Sequence, residues 1–236
     1  MIQNLIHFNF ILYLIVFVIS LLRNGNFNTI LVGLTYMAPL VPLGLTPGNE
    51  ARFLIVSLLN TIFGIIELVI FVRTVKPGDV TFDKIFFQQL TGHVLPIIFA
   101  LLGLSFIARA VEVPISSTEL MILTTLFTFG CVLRVVAVSQ LGKIGFKFDI
   151  VFRENQKLKT TQLYGLMRHP SYTAMMIVIL AYAVVAHSWM FGVMGMISAW
   201  FGFQYRIYHE EKALAEQFGE EYQGYRNSTG MWLPIK

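Results

Sequence analysis

Two polar segments in the C-terminal third contain residue types that could do chemistry. The first reads Gln162-Leu-Tyr164-Gly-Leu-Met-Arg168-His169-Pro170-Ser171-Tyr172 and ends where an apolar stretch begins. Proline suits the first turn of a helix, because its missing N–H costs no hydrogen bond there. Such a helix start also favours an anion or a polar ligand. A plainer interpretation stays open, in which Arg168 flanks a membrane helix and His169 caps it.

The second polar segment runs from Tyr205 to Tyr225. At about 100° per residue, one face of a helix carries Phe203, Arg206, Glu210, Leu214 and Phe218. This spacing predicts an Arg206–Glu210 ion pair on the buried side of a helix that leaves the membrane. Ionisable groups at that depth are functional candidates, although a purely structural pair is the alternative. Glu211 is expected to be solvated, and the tyrosines at 222 and 225 fit interfacial anchors.

Two further charges, Glu67 and Arg134, stand inside apolar runs. At 1.5 Å per residue both lie roughly 8–10 Å from the same end of their helices, so we expect them to pair. A role in gating substrate is the alternative. The histidines His7, His93 and His187 have no partner at metal-ligand spacing, so no metal site is predicted.

The composition indicates an integral membrane protein. Of 236 residues, 56% are hydrophobic and 13% are charged, against about 25% charged in soluble domains. The single cysteine, Cys131, excludes a disulfide framework. Basic residues are spread over the loops between apolar runs, which indicates membrane orientation and lipid partners rather than nucleic acid.

Apolar runs of about 20 residues predict transmembrane helices. They are found at about 6–22, 29–45, 53–72, 90–108, 120–141, 172–187 and 189–205. The second is interrupted by Pro39 and Pro42, so six spans remain if it is re-entrant. The last two form a hairpin split near His187. The expected fold is therefore an all-α, polytopic transmembrane helical bundle of one domain, 1–236, with a C-terminal helical hairpin.

The orientation follows from the 17 Lys and Arg residues. Fourteen fall on one side of the predicted spans, whereas only Arg52 and Arg109 fall on the other. This asymmetry predicts an N-terminus outside, with the C-terminus and both polar segments in the cytosol.

Together, the polar segments resemble the isoprenylcysteine carboxyl methyltransferase family of membrane methyltransferases. The resemblance covers about 156–234, a methyltransferase-like catalytic region. It rests on Arg168-His169-Pro170-Ser171-Tyr172 before the hairpin, Arg206-x-x-x-Glu210-Glu211-x-x-Leu214 after it, then Phe218-Gly219-x-x-Tyr222-x-x-Tyr225, and Pro234. The order and spacing agree. Gln162 and Ala174 depart from the family, which has glycine at these positions in many or most members.

The resemblance implies S-adenosyl-L-methionine as cofactor, bound at the cytosolic membrane surface. The implied cofactor contacts are Gln156, Leu158, Lys159, Tyr164, Arg168, His169, Pro170, Ser171, Tyr172 and Glu210. Arg206 is implied as the catalytic and substrate-binding residue beside the transferred methyl group. The implied acceptor is the C-terminal carboxylate of a prenylated cysteine, which reaches the site from the bilayer.

Two alternatives stay open at this point. A carboxylate is already ionised at neutral pH and needs no general base, whereas a phospholipid amine or small thiol would need one. His169 and His209 are the candidate bases in that case. A transporter or scaffold without enzymatic activity would instead use Glu67 and Arg134 as a mid-membrane site.

The predicted orientation is tested by labelling single cysteines in intact cells with a membrane-impermeant thiol reagent. Cysteines placed at Asn49 or Ser117 are expected to react, whereas cysteines at Asn155 or Asn227 are not. The parent protein, which carries only Cys131, should stay unlabelled. Reaction at either of the last two positions would overturn the charge asymmetry argument.

Overall fold

The structure is a computed structural model that describes residues 1–41, 48–74, 82–142 and 157–234. Those residues form no β-strand; their α-helices are α1 Ile2–Asn24, α2 Phe27–Met37, α3 Glu50–Thr74, α4 Lys84–Gln89, α5 Leu95–Ala110, α6 Ser117–Leu141, α7 Leu163–Leu166, α8 Pro170–Val185 and α9 Trp189–Ser228. A 3₁₀ turn, Ala38–Leu40, extends α2, and a π-helical turn, Leu90–Val94, joins α4 to α5. The expected all-α class is confirmed.

The outer surface of the bundle is apolar. Within the described part of the chain, four helices are long and apolar enough to cross a membrane: Ile2–Asn24, Glu50–Thr74, Lys84–Ala110 and Ser117–Leu141. Large side chains such as Phe99, Phe129 and Phe201 are more than half exposed on the outside. A soluble protein does not tolerate so much exposed apolar surface, whereas lipid does. The chain is an integral membrane protein.

Two apolar helices are shorter, Phe27–Leu40 and Pro170–Val185. The first is the predicted second span, and its helical part ends at Leu40, close to the prolines that interrupt the sequence pattern. The last part of that prediction, 42–45, lies outside the described residues.

Polar residues set the starts of several helices. The side chain of Asn26 accepts from the Thr29 N–H at 3.0 Å at the start of α2. Ser116 accepts from the Glu119 N–H at 3.1 Å at the start of α6. Each such cap satisfies an N–H group that has no partner within its helix. Pro170 stands in the first turn of α8, as the sequence predicted.

The predicted C-terminal hairpin is confirmed. Helix α8 ends at Val185 and α9 begins at Trp189, and His187 in the turn between them has a positive φ of 49°. Helix α8 is the core of the bundle, with Val178 and Ile179 fully buried against its neighbours. A Cβ at Gly130 of α6 would lie 2.7 Å from the Val178 side chain, so glycine is needed for the close approach of these two helices.

An ion pair ties together the end of the bundle that carries the starts of α3 and α6. The guanidinium of Arg52, which is fully buried, forms two hydrogen bonds with Glu119, at 2.5 and 3.1 Å. It also donates to the backbone carbonyl of Val185 at 2.7 Å. One side chain of α3 therefore fixes the positions of α6 and the end of α8.

At the opposite end, α9 extends far beyond the hairpin. Its helical path is broken at Gly219, whose φ of 50° favours glycine, and it ends at Ser228. The following tail turns back to α8: the Arg168 N–H donates to the Gly230 carbonyl at 2.8 Å, and the His169 N–H to the Met231 carbonyl at 3.1 Å. Both predicted polar segments thus meet at this end of the bundle.

Candidate active site

The start of α8 and the polar part of α9 are joined by a buried carboxylate, Glu211. Its Oε1 accepts from Arg168 Nε at 2.9 Å and lies 3.2 Å from His169 Nε2. Burial acts to raise the pKa of this carboxyl, but the hydrogen bonds from His169 and Arg168 outweigh it and lower the pKa from 4.5 to about 2. The expectation that Glu211 is solvated was wrong, because α8 and the tail cover its side of α9.

The predicted Arg206–Glu210 pair is confirmed. Arg206 Nε lies 2.9 Å from Glu210 Oε1, and the Tyr172 hydroxyl donates to the same oxygen at 2.5 Å. Arg206 also donates to the side chain of Gln89 in α4 at 3.4 Å. Gln89 could not be found from the sequence, because nothing in the local pattern around it suggests a contact with a residue more than a hundred positions away.

Tyr172 is held between two rings. It stacks on His169, with ring centroids 5.7 Å apart and planes 20° apart, and on Phe203, at 5.4 Å and 28°. His169 is 6% exposed and also lies 3.7 Å from Glu210 through its Nδ1. The imidazole of His169 therefore lies between the carboxylates of Glu210 and Glu211 and links the start of α8 to α9.

The predicted pairing of Glu67 and Arg134 is also confirmed. The two side chains form a bidentate pair with both distances at 2.8 Å, and each is 3% exposed or less. Arg134 also donates to the hydroxyl of Ser171 in the motif. The pair therefore contacts the Arg168–Tyr172 motif directly and supports the first turn of α8.

A cavity of about 920 Å³, its mouth included, lies between these charges and the N-terminal helices. Its polar wall contains Asn28, Glu67, His93, Arg134, Tyr172, Arg206 and Glu210. The remaining wall is largely apolar, with Leu31, Val32, Ile97, Leu101 and Met175 among its residues. Its composition suits a ligand with a polar head and a hydrocarbon tail.

Other predicted cofactor residues lie outside the cavity wall. Tyr164 is buried, and its hydroxyl donates to the Ala137 carbonyl of α6 at 3.3 Å. Lys159 donates to the side chain of Gln162 at 3.2 Å on the surface, and Leu158 is half-buried beside it. Gln156 lies outside the described residues.

The two tyrosines expected at the lipid interface are buried instead. Tyr225 donates from its hydroxyl to the Tyr164 carbonyl at 2.6 Å, and Tyr222 is 1% exposed. Burial raises the pKa of Tyr225 to about 12. Both therefore help to pack the last part of α9 against the segment that precedes α8.

His93 is a cavity residue whose role the sequence did not reveal. It lies in the π-helical turn, and its Nδ1 is 3.0 Å from the Gly202 carbonyl of α9. Because a carbonyl only accepts, a neutral ring carries its proton on Nδ1 and keeps Nε2 as an acceptor. Such π turns are frequent at functional sites, but this one shows no sequence signature.

Comparison with known proteins bears directly on this arrangement. The model of the isoprenylcysteine carboxyl methyltransferase (ICMT) family matches residues 121–216. This region includes Arg134, the first polar motif and the second as far as Leu214, but not Phe218 to Tyr225. The resemblance to the ICMT family is confirmed. Within the matched region, the motif residues that line the cavity are Tyr172, Arg206 and Glu210.

Curated relatives of the ICMT-family region come from plants. Two rice proteins, from Oryza sativa subsp. indica and subsp. japonica, are each named probable protein-S-isoprenylcysteine O-methyltransferase. Both are 32% identical over 107 residues, which cover 45% of this chain and 56% of the relative. Protein-S-isoprenylcysteine O-methyltransferase B of Arabidopsis thaliana is 30% identical over 113 residues, or 47% of this chain and 57% of the relative. The chain thus matches little more than half the length of these relatives.

The fold extends the similarity beyond the ICMT-family region. A solved structure of the eukaryotic intramembrane Ras methyltransferase ICMT superposes with a TM-score of 0.58. The alignment covers 94% of this chain and 82% of that one at 18% identity. The N-terminal helices lie outside the region that the family model matches, but the superposition includes them, so they share the fold of that membrane protein.

The buried Glu67–Arg134 pair generates a double-mutant prediction. Glu67→Gln or Arg134→Gln alone should destabilise the protein by about 3–5 kcal/mol, because each leaves a buried charge without its partner. The double substitution should recover part of the loss in thermal unfolding. The exposed pair Lys212–Glu216 is the control, and neutralising it should change stability little. Strictly additive losses at 67 and 134 would contradict the pairing.

The lowered pKa of Glu211 generates a pH prediction. An ionised Glu211 stabilises the folded protein above pH 4.5, and this contribution is lost as the pH falls towards 2. We therefore expect Glu211→Gln to cost on the order of 2 kcal/mol at pH 7 and progressively less below pH 4.5. Melting temperatures of both proteins across this range test it. A difference that stays constant with pH would show that the charge of Glu211 contributes nothing.

Proposed function

We propose that the chain is an S-adenosyl-L-methionine-dependent methyltransferase that acts on the C-terminal carboxylate of a prenylated cysteine. The observation that carries this proposal is the cavity, whose wall is largely apolar and also contains Arg206, Glu210 and Tyr172. These three belong to the motifs of the ICMT-family region. The names of the plant relatives give the same reaction type and the same class of acceptor.

The residues present fit the proposed cofactor. The side chain of Glu210 is 20% exposed, although Arg206 and Tyr172, which contact it, are buried. Its carboxylate therefore reaches open space at the cavity. A carboxylate there favours a cationic ligand, and the cofactor is a sulfonium that supplies an activated methyl group. Tyr172 would complete its site in the cavity wall. The other residues that the resemblance implies, Arg168 to Ser171 at the start of α8 and Gln156, Leu158, Lys159 and Tyr164 before it, would have to extend the site beyond that wall.

Arg206 is suited to orient the carboxylate of the acceptor. It lines the cavity, and its planar guanidinium can present two parallel donors to a carboxylate. Its charge is already offset by Glu210 at 2.9 Å. This partner limits how tightly Arg206 holds the acceptor, which matters because the carboxylate loses its charge as the ester forms. Most of the rate enhancement then comes from positioning.

The apolar wall suits an acceptor that arrives from the bilayer. Leu31 and Val32 of α2 and Ile97 and Leu101 of α5 supply apolar wall to the same cavity. A hydrocarbon tail placed there would exclude water from the reacting groups. We place the polar end of the cavity in the cytosol, on the strength of the charge asymmetry between the loops.

A second candidate function is methylation of an amine or thiol, which would need a general base. His169 is engaged by Glu211, and neither it nor His209 lines the cavity, whereas His93 does. Transfer to an amine would therefore depend on His93. A panel of prenylated cysteine analogues, phospholipid amines and small thiols, offered to purified protein, separates the two functions.

The proposed roles of Glu210 and Arg206 lead to a paired prediction. Glu210→Gln should weaken S-adenosyl-L-methionine binding about tenfold to a hundredfold, because it removes the charge that the cation faces. Arg206→Lys should lower kcat/KM for the acceptor more than it lowers cofactor affinity, since lysine cannot form the bidentate contact. Calorimetry and methyl transfer measure the two effects.

Glu216→Gln is the matched control, because Glu216 is exposed on the same helix and should leave both quantities unchanged. Unchanged cofactor affinity in Glu210→Gln would remove this residue from the site.

A further inference from the structure

Arg206 has a hydrogen-bond partner from outside the ICMT-family region. Gln89, the last residue of α4, is 4% exposed, and its Oε1 accepts from Nη1 of Arg206 at 3.4 Å. The family model begins at residue 121, so the matched motifs do not account for this contact. A buried polar side chain that reaches across the fold to the proposed acceptor-binding residue calls for an explanation.

The turn that follows Gln89 is fixed closely against α9. A Cβ at Gly92 would lie 2.7 Å from the ring of Tyr205, so only glycine lets the π-helical turn approach α9 at this point. Next to it, His93 Nδ1 lies 3.0 Å from the Gly202 carbonyl of α9. Because residues three or four positions apart share a helix face, these contacts also direct Gln89 towards α9.

Gln89 and Glu210 contact different nitrogen atoms of Arg206. Glu210 Oε1 lies 2.9 Å from Nε, whereas Gln89 Oε1 lies 3.4 Å from Nη1. A single hydrogen bond lets a planar guanidinium turn about the bonded atom, whereas partners on two nitrogen atoms fix its plane. The longer distance to Gln89 fits a neutral acceptor, since hydrogen bonds to ionised groups are shorter. Gln89 therefore orients the guanidinium without neutralising its charge.

The charges in the cavity wall balance. Glu67 pairs with Arg134 and Glu210 pairs with Arg206, and no other Lys, Arg, Asp or Glu among the described residues lines the cavity. A wall without net charge suits two ligands of opposite charge, which are the sulfonium and the carboxylate of the proposed function. A carboxylate in place of the Gln89 amide would add a negative charge beside the guanidinium that is proposed to bind the acceptor.

We propose that Gln89 is a positioning residue for methyl transfer. It holds the guanidinium of Arg206 in the orientation that receives the acceptor carboxylate. Because its amide is neutral, it does not compete with that carboxylate for the cation. The position therefore requires an uncharged hydrogen-bond acceptor: an apolar side chain loses the orientation, and a carboxylate occupies the guanidinium. This inference rests on the proposed function for the charge of the acceptor.

Binding of an acid and of its methyl ester tests this role. N-acetyl-S-farnesyl-cysteine carries the carboxylate, and its methyl ester has the same groups without the charge. Gln89→Glu keeps the size and shape of the side chain. At neutral pH it should weaken binding of the acid about tenfold and change binding of the ester less than about twofold, because only the acid is repelled. Calorimetry on purified protein in detergent measures both affinities, and a general disturbance of the cavity would weaken both.

Gln89→Leu removes the hydrogen-bond acceptor without adding a charge. It should lower kcat for the acid about tenfold, because the plane of the guanidinium is no longer fixed, and should leave the affinity for S-adenosyl-L-methionine unchanged. This variant also keeps the inference testable if Gln89→Glu does not fold.

Gln88→Glu is the matched control. Gln88 is the exposed neighbour of Gln89 in α4, so this variant receives the same charge at a position that does not face Arg206. Its affinities for the acid and the ester should equal those of the wild-type protein.

Three results would overturn the inference: wild-type affinity of Gln89→Glu for the acid, an equal loss of acid and ester binding in that variant, or a wild-type kcat in Gln89→Leu. Methyl transfer to the acid by the wild-type protein is measured in the same preparation. Its absence would refute the proposed function and the inference with it. Normal transfer together with any of the three results would refute only the role of Gln89.

Discussion

The structure depends on the rule that a charge buried in a membrane bundle must have a partner, because stranding it costs several kcal/mol. Helices α3 and α6 obey this rule twice. Arg52 of α3 pairs with Glu119 of α6, and Glu67 of α3 pairs with Arg134 of α6. Arg52 and Glu67 are fifteen positions apart in α3, and Glu119 and Arg134 are fifteen positions apart in α6. At 1.5 Å per residue the two links are about 22 Å apart, and sliding one helix along the other would break both.

The candidate site is a consequence of this fixed register. The Glu67–Arg134 pair places Arg134 beside Ser171, to whose hydroxyl it donates. The first turn of α8 is therefore held by a guanidinium that α3 keeps in place. The cavity is therefore composite. Arg206 and Glu210 come from the region that matches the ICMT family, whereas Asn28 and Glu67 come from helices outside it. The region that matches the family supplies Arg206 and Glu210 to the cavity, and the N-terminal helices supply much of the remaining wall.

The sequence predicted those features that depend on local spacing. Apolar runs located the helices, the i,i+4 spacing located the Arg206–Glu210 pair, and equal depth in two runs located the Glu67–Arg134 pair. Glu211 was misjudged because helical periodicity shows only which face a residue is on, not what will cover that face. The burial of Asn28 without a hydrogen-bond partner among the described residues could not be predicted. An asparagine near a helix start usually acts as a cap, and Asn26 has that role here.

The return of the tail to α8 has a consequence for how the protein is made. Gly230 and Met231 bind the backbone of Arg168 and His169, and Trp232 accepts a hydrogen bond from Thr173. The helices between these partners are synthesised, and can enter the membrane, before residues 230–232 have left the ribosome. The hairpin therefore inserts first and the start of α8 is completed last. A chain that stops a few residues short of Gly230 would be a bundle in the bilayer in which the start of α8 lacks these partners.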